Sequence, residues 1–466
     1  MSSIFIFRRD FRLDDNTGLL KACNESDIVY PIFIVNPIQV TDKENKYKSQ
    51  NSIQFMHESL KELEQLSNHK LTVFYGNDIK IIDELLKNQN TKITKIYSNK
   101  DYTPYAIKRD SEIKDLLTKK YTDIEFIQTE DYTLTPLESV KTDNGTPYTK
   151  YTPYHNKASK IPIPKPVNFS KKFLDKLKNL SKSDSSFISD SGCDILKKYY
   201  NMNPDLNVNG GRSLGIKIIK NSKNFSDYVK NRNDLTYKTT FLSGYIKFGC
   251  ISLREVYYGF LKNLPANSAF FNELYWHDFY AQAIYFNPKV LQGKSMDERF
   301  DKIKWEGTPS LFEKWCKGET GFPVVDAAMK QINKTGFMHN RARMIVASFL
   351  VKILLCDWRL GEKYFAQNLL DYDPCSNVGG WLWSAGGGFD SQPYFRIFNP
   401  WTQSEKFDKN TEYIKKWLPE LINVPAKDIH TWDKSYMKYP DINYSKPIVD
   451  YSVNRVKALE LYKKYL

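Results

Sequence analysis

A parallel, doubly wound α/β sheet followed by an all-helical half is the fold this sequence predicts, on three observations. Short β-branched or aromatic runs alternate with helical patterns over roughly the first 130 residues. A Pro-, Lys- and Ser-rich stretch then breaks the pattern. From Gly210 to the end the periodicity is helical. The 466 residues, 41% hydrophobic and 15% aromatic, are enough for large cores and exclude wholesale disorder.

In order, Ile4 to Phe7, Ile28 to Val35, Leu71 to Tyr75, Ile93 to Tyr97 and Ile124 to Ile127 read as strands. Ser49 to Leu66 and Tyr105 to Leu117 are the clearest helices between them, and strand–helix alternation means parallel pairing. No GxGxxG or P-loop occurs there, so neither a dinucleotide fingerprint nor a nucleotide triphosphatase is supported. Residues 131–209, interrupted by Pro136, Pro147, Pro153, Pro162, Pro164 and Pro166, read as a connector wrapping over the surface. The expected division is 1–130, 131–209 and 210–466. Gly215 to Tyr228 and Leu253 to Leu261 open the helical part, and Met344 to Cys356 reads as a buried helix.

Lys and Arg (68) outnumber Asp and Glu (54), a formal charge of +14 that points weakly to a polyanionic partner. No apolar run reaches the ~18 residues of a membrane span, and Arg8 and Arg9 cut short any secretory leader. Six cysteines without a CxxC pair fit neither a metal site nor a disulfide framework, and imply a reducing, intracellular compartment.

All nine tryptophans fall in the helical part. They are either bulky core filler or a site that uses indoles for stacking or electron transfer. Four segments carry candidate chemistry. Thr239-Thr240-Phe241-Leu242-Ser243 offers hydroxyls before a helix, suited to a phosphate or to simple capping. In Glu273 to Tyr280, Glu273, Trp276 and Tyr280 share one helical face, where a carboxylate between aromatics would hold a flipped base, unless Trp276 is core and Glu273 is solvated. In His339 to Met344, Asn340, Arg343 and Met344 share a face, and an Arg buried there demands an acid. In Asp371 to Trp383, Asp373-Pro374 reads as a helix start, Asp371 as the candidate partner of Arg343, and Gly379-Gly380 as a place where something approaches the backbone closely.

Together with Phe7 to Asn16 and Gln392 to Pro400, these segments resemble the photolyase/cryptochrome flavoprotein family, and most closely its class I enzymes for cyclobutane pyrimidine dimers. The resemblance covers nearly the whole chain and is weakest over 131–209. It implies a Rossmann-like α/β domain, a long loop and a helical FAD-binding domain. By similarity, Tyr228, Thr239, Thr240, Leu242, Ser243 and Phe270 would line a U-shaped FAD, with Arg343 and Asp371 as an ion pair beside the ring. Asp373 would touch the ribityl or adenosine part, in competition with its capping role, and Asn377 would face flavin N5. Trp381, Trp358 and Trp305 match the family's electron-carrying chain.

Glu273, Trp276, Tyr280, Asn340, Met344 and Trp383 would hold the damaged bases, and Arg341, Arg396 and Lys406 the DNA backbone. The implied activity is light-driven repair of UV-damaged DNA, in which photoexcited reduced FAD (FADH-) passes an electron to a flipped-out dimer. Base flipping is known of photolyases as a class and enters here with the resemblance. An antenna, a folate (MTHF) or a deazaflavin, would sit in the α/β half. No metal, no membrane contact and a monomer are expected. (6-4) enzymes carry two histidines at the places of Asn340 and Met344, so their absence favours cyclobutane dimers. The alternatives are a cryptochrome photoreceptor, which often has a long tail where this chain ends soon after Trp432, and a (6-4) or DASH-type photolyase. His277 and Phe241 depart from the family, each standing where an Arg is common.

Overall fold

The computed structural model describes residues 1–88 and 91–466. Strands β1 (Ser2–Phe7), β2 (Ile28–Val35), β3 (Thr72–Tyr75), β4 (Ile93–Asn99) and β5 (Glu125–Thr129) form one parallel sheet in the order β3-β2-β1-β4-β5. Each lies close to its run in the sequence. Crossovers carry helices α1 (Thr17–Glu25), α2 (Gln50–Leu66), α3 (Asp78–Lys87) and α4 (Pro104–Lys120). Ser49 is the cap of α2 rather than its first residue, because its side chain accepts from Ser52 N–H.

The alternation of β1 divides the apolar interior. Ile4 and Ile6 pack with Ile81, Ile82 and Ile113 on one face. Phe5 and Phe7 face the other way, into a core that runs on without a break into the helical half. Phe11 stacks on Phe248 across that join at 5.9 Å.

Residues 131–209 depart from the expected surface wrap. Helix α5 (Tyr151–Ala158) forms there despite Pro153, and Leu134, Leu137, Val140, Tyr154 and Ala158 are buried. The irregular backbone is satisfied from outside: buried Asp278 accepts from Leu134 and Thr135 N–H, and Gln282 donates to the carbonyls of Leu137 and Val140. Farther on, Leu177 bridges Val29 and Ile188 bridges Phe74.

The helical half includes α6 (Leu253–Leu261), α7 (Ala269–Tyr285), α8 (Asn340–Lys352), α9 (Trp358–Asn368), α10 (Pro374–Ala385) and α11 (Tyr451–Tyr465), with further helices between them, the longest Pro323–Thr335. The run expected from Gly215 to Tyr228 is a helix over Arg212–Lys220 that stops at Asn221. The buried helix begins at Asn340, before the apolar run, because His339 caps it. Among the described residues no helix is long and apolar enough to cross a membrane.

Candidate active site

Helices α7, α8 and α10 and the segment from Tyr228 to Lys247 enclose a cavity of about 570 Å³, within the ~300–1,000 Å³ of typical small-molecule and cofactor sites. Local capping sets the two helix starts at its wall. His339 Nδ1 accepts from Arg341 N–H at 3.1 Å, and the Asp373 carboxylate accepts from Ser376 N–H at 2.9 Å ahead of Pro374.

On one side of the cavity Arg343 donates to both oxygens of Asp371, at 3.1 and 2.9 Å, and to the Met338 carbonyl at 2.8 Å. Ser243 Oγ donates to Asp371 at 2.6 Å. Thr239, Thr240 and Leu242 line the same wall, and Tyr228 sits edge-on to Phe270, their ring centroids 5.6 Å apart. The helix that the hydroxyls lead into spans only Ser243–Lys247, without a side-chain cap. It is reached through a left-handed turn at Phe241 (φ +53°), whose ring packs on Phe337. Asn377 Nδ2 donates to Glu362, and Gly380 has open space where a Cβ would project. Gly379 serves a different purpose: a Cβ there would come within 2.3 Å of the Tyr280 ring.

Asp373 lines the cavity, yet its carboxylate is already engaged by Arg9 and by Tyr132 O–H at 2.7 Å. Burial works to raise its pKa, but Arg9, His277, the Ser376 N–H and Tyr132 hold it well below the usual carboxylate range. Burial and the Arg9 guanidinium push Lys247, also in the wall, down to about 7.

On the other side Glu273 pairs with Arg232 at 2.6 Å, and burial raises its pKa against that pairing. Trp276 stacks face to face on Tyr151 at 3.8 Å, so the protein itself covers one face of this indole. Asn340, Met344, Tyr280 and Trp383 complete the wall. Burial and repulsion from Arg232 and Arg396 depress the Arg341 pKa; Arg232 and Arg341 line the cavity, and Arg396 does not. Arg341 and Lys406 lie over the same ring, Phe407, at 4.5 and 5.4 Å. The buried Lys352 holds the Arg396 carbonyl at 3.0 Å.

Of the three tryptophans expected to carry electrons, only Trp381 lines the cavity. It lies so close to Gly361 that a Cβ there would meet the indole at 2.1 Å. Its ring neighbours are Phe365 at 5.0 Å and Trp315 at 6.1 Å. Trp358 is buried and Trp305 half-buried beside Tyr462. Trp315, which the sequence reading leaves as structural, is fully buried next to Trp381.

Sequence reasoning missed Arg232, Tyr151, Lys247, His339 and Glu362. His339 sits one residue off the helical face considered, but as a cap it belongs to no face, and it reaches the wall. Burial, with Arg341 and Arg343 near, pushes it down to about 4, so it is a neutral imidazole at physiological pH. The others carried no local signal.

A ligand with a flat polar ring and phosphates suits this donor set: an amide and an ion pair for ring heteroatoms, hydroxyls and a lysine for anionic oxygens, and an uncovered glycine backbone. Residues 270–464 match the family described as FAD binding domain of DNA photolyase, and residues 3–168 match the family described as DNA photolyase. The chain is 36% identical over 480 residues to the deoxyribodipyrimidine photo-lyase of Alkalihalophilus pseudofirmus, covering 98% of this chain and 97% of the relative. With the enzyme of the same name from Escherichia coli it is 32% identical over 474 residues, 98% and 97% covered. Among solved structures, an archaeal photolyase from Sulfolobus tokodaii with two FAD molecules superposes with TM-score 0.85 at 37% identity, covering 100% of both chains. A class III photolyase from Agrobacterium tumefaciens gives 0.86 at 28%, covering 100% and 98%.

Proposed function

The chain belongs to the DNA photolyase family, and on that premise we propose that it repairs UV-damaged DNA by splitting cyclobutane pyrimidine dimers in the cavity described above, with FAD as its cofactor. Bound in reduced form and excited by light, FAD would lend the electron that opens the cyclobutane ring and would recover it once the pyrimidines separate. The chain's own residues bind, orient and exclude water. Arg343, Asp371 and Asn377 hold the ring end, while Tyr228, Thr239, Thr240, Leu242, Ser243 and Phe270 hold the remainder of the cofactor. The carboxylate of Asp373 faces the same space while tying α10 to Arg9.

A flipped pyrimidine pair is received by Glu273 and Asn340 through hydrogen bonds, by Met344 through an apolar contact, and by Trp276, Tyr280 and Trp383 through their rings. Arg341, Arg396 and Lys406 position the duplex through its phosphates without reading sequence. Trp381, Trp358 and Trp305 would relay electrons inward from an external reductant in solution when the cofactor is oxidised. A light-harvesting chromophore occupies the α/β half, and the protein acts as a monomer.

One observation carries this reading: a single cavity collects the residues assigned to the cofactor and those assigned to the lesion. Specificity for cyclobutane dimers over (6-4) lesions rests on Asn340 and Met344, neither of which transfers a proton at neutral pH. The test is blue-light illumination of the reduced, FAD-loaded protein with dimer-containing oligonucleotide, following recovery of thymine absorbance. A parallel sample holding only (6-4) lesions should remain unrepaired; repair of that sample alone overturns the assignment. Trp276→Ala should weaken binding of dimer-containing DNA by ~1–3 kcal/mol, the worth of a base–aromatic stack, while leaving intact DNA unaffected.

A further inference from the structure

Tyr151 opens α5, the helix that forms within the connector, and stands behind Trp276: the indole lines the cavity and the Tyr151 ring does not. The two rings are 3.8 Å apart and 3° from parallel, which leaves a ligand only the other face and the rim of the indole. The Tyr151 hydroxyl donates to the Asn272 carbonyl at 2.9 Å, one turn before Trp276 on α7. Its ring is therefore tied to the same helix whose indole it covers. The backbone is tied as well. Lys150 gives α5 no side-chain cap, and Asp390 takes that place: its carboxylate accepts from Tyr151 N–H at 3.3 Å, while its own N–H donates to the Thr149 carbonyl at 2.9 Å. Phe279 meets both rings edge-on, 5.6 Å from Trp276 and 5.9 Å from Tyr151.

An indole with both faces open on a helix has several rotamers to choose from, and fixing one of them when a ligand stacks takes back part of the stacking free energy. Here that ordering is complete before any ligand arrives. We propose that Tyr151 is a positioning residue for lesion recognition: by filling the rear face of Trp276 it presets the indole for a flipped pyrimidine pair, and so makes the connector part of the lesion site. This rests on the reading of Trp276 as a contact to the damaged bases. Intact duplex keeps its bases stacked and meets the protein through its phosphates, so a preset indole does nothing for it. The benefit falls on the lesion alone, which makes Tyr151 a determinant of selectivity and not of general DNA affinity.

The experiment measures binding of dimer-containing and intact oligonucleotides to FAD-loaded protein in the dark, so that no turnover intervenes. Tyr151→Leu removes the stacked ring and should weaken dimer binding roughly two- to tenfold, the effect of freeing one ordered side chain, with intact DNA unchanged. Tyr151→Phe keeps the ring and should keep most of the affinity. In a Trp276→Ala background Tyr151→Leu should change nothing, since the ring then has no indole to position. Equal losses with and without Trp276, or an equal loss for intact DNA, would mark a purely structural role and overturn the proposal. If Trp276→Ala alone spares dimer binding, the indole does not touch the lesion and the assignment beneath the proposal falls instead. Should Tyr151→Leu fail to fold, wild-type protein labelled with fluorotryptophan decides. The Trp276 fluorine resonance, identified by its loss in Trp276→Ala, should be one sharp line before DNA is added; a line broadened by exchange between orientations overturns the proposal.

Discussion

Asp371 and Asp373 are near neighbours in sequence, both buried, and are neutralised from opposite directions. Asp371 takes its cation from Arg343 on α8 and a hydroxyl from Ser243, both in the cavity wall. Asp373 takes its cation from Arg9, directly after β1, with Tyr132 and the Ser376 N–H completing its shell. The first pair shapes the space where a ligand goes. The second ties the start of α10, the helix that carries Asn377, Trp381 and Trp383, to the end of β1, the central strand of the sheet. Which element supplies the cation, more than the carboxylate itself, decides whether such a residue serves chemistry or architecture.

Arg9→Ala should produce the largest effect. It leaves the Asp373 charge buried without its cation, at a cost of ~3–5 kcal/mol, read as a lower midpoint in urea unfolding. A loss below ~1 kcal/mol would mean that the two carboxylates are equivalent and the contrast drawn here is false. Acid titration sharpens the point. Because the folded state holds Asp373 well below its ordinary range, its contribution is fully present above about pH 4 and disappears as the pH falls through the folded value. Arg9→Ala should therefore move the acid-unfolding limb to higher pH.

Asp371→Asn should behave in the reverse manner. FAD affinity should drop on the order of tenfold or more, as expected when a charged hydrogen bond is lost, with a smaller change in folding stability because Arg343 is partly open to the cavity. Isothermal titration of the apoprotein with FAD, alongside thermal melts, would separate the two effects. The smallest change belongs to Ser243→Ala, which removes one hydroxyl from Asp371 and should cost about 1 kcal/mol of FAD binding, while Tm moves little.

Much of the architecture was legible because its signals are local. Parallel-strand runs such as Ile28 to Val35 are nearly continuous in apolar residues, and Asp373-Pro374 announces a helix start without help from the rest of the chain. The Arg343–Asp371 pair was also within reach, since a buried Arg on an apolar face requires an acid and Asp371 opens a segment already singled out for its chemistry. Tyr151 was not: Pro153 disguised its helix, and its stacking on Trp276 spans far-separated segments. Arg232 and Glu273 likewise meet only through the tertiary fold. Glu362, in the run Gly361-Glu362-Lys363, reads as an ordinary solvated helix residue until the segment at Tyr47 closes over it. Trp315 was set aside because nothing in its surroundings distinguishes filler from a ring that touches Trp381. Local periodicity reports backbone shape; the coverage of a polar group depends on elements that arrive from elsewhere.

The Phe5 and Phe7 side of β1 has a consequence for how this molecule comes apart. Because those rings merge with the interior of the other half, the described residues share one continuous core across the two lobes, which couples their melting. Heating should give a single sharp transition, and a polypeptide cut within the linking region should yield two sticky fragments that regain order only on recombining.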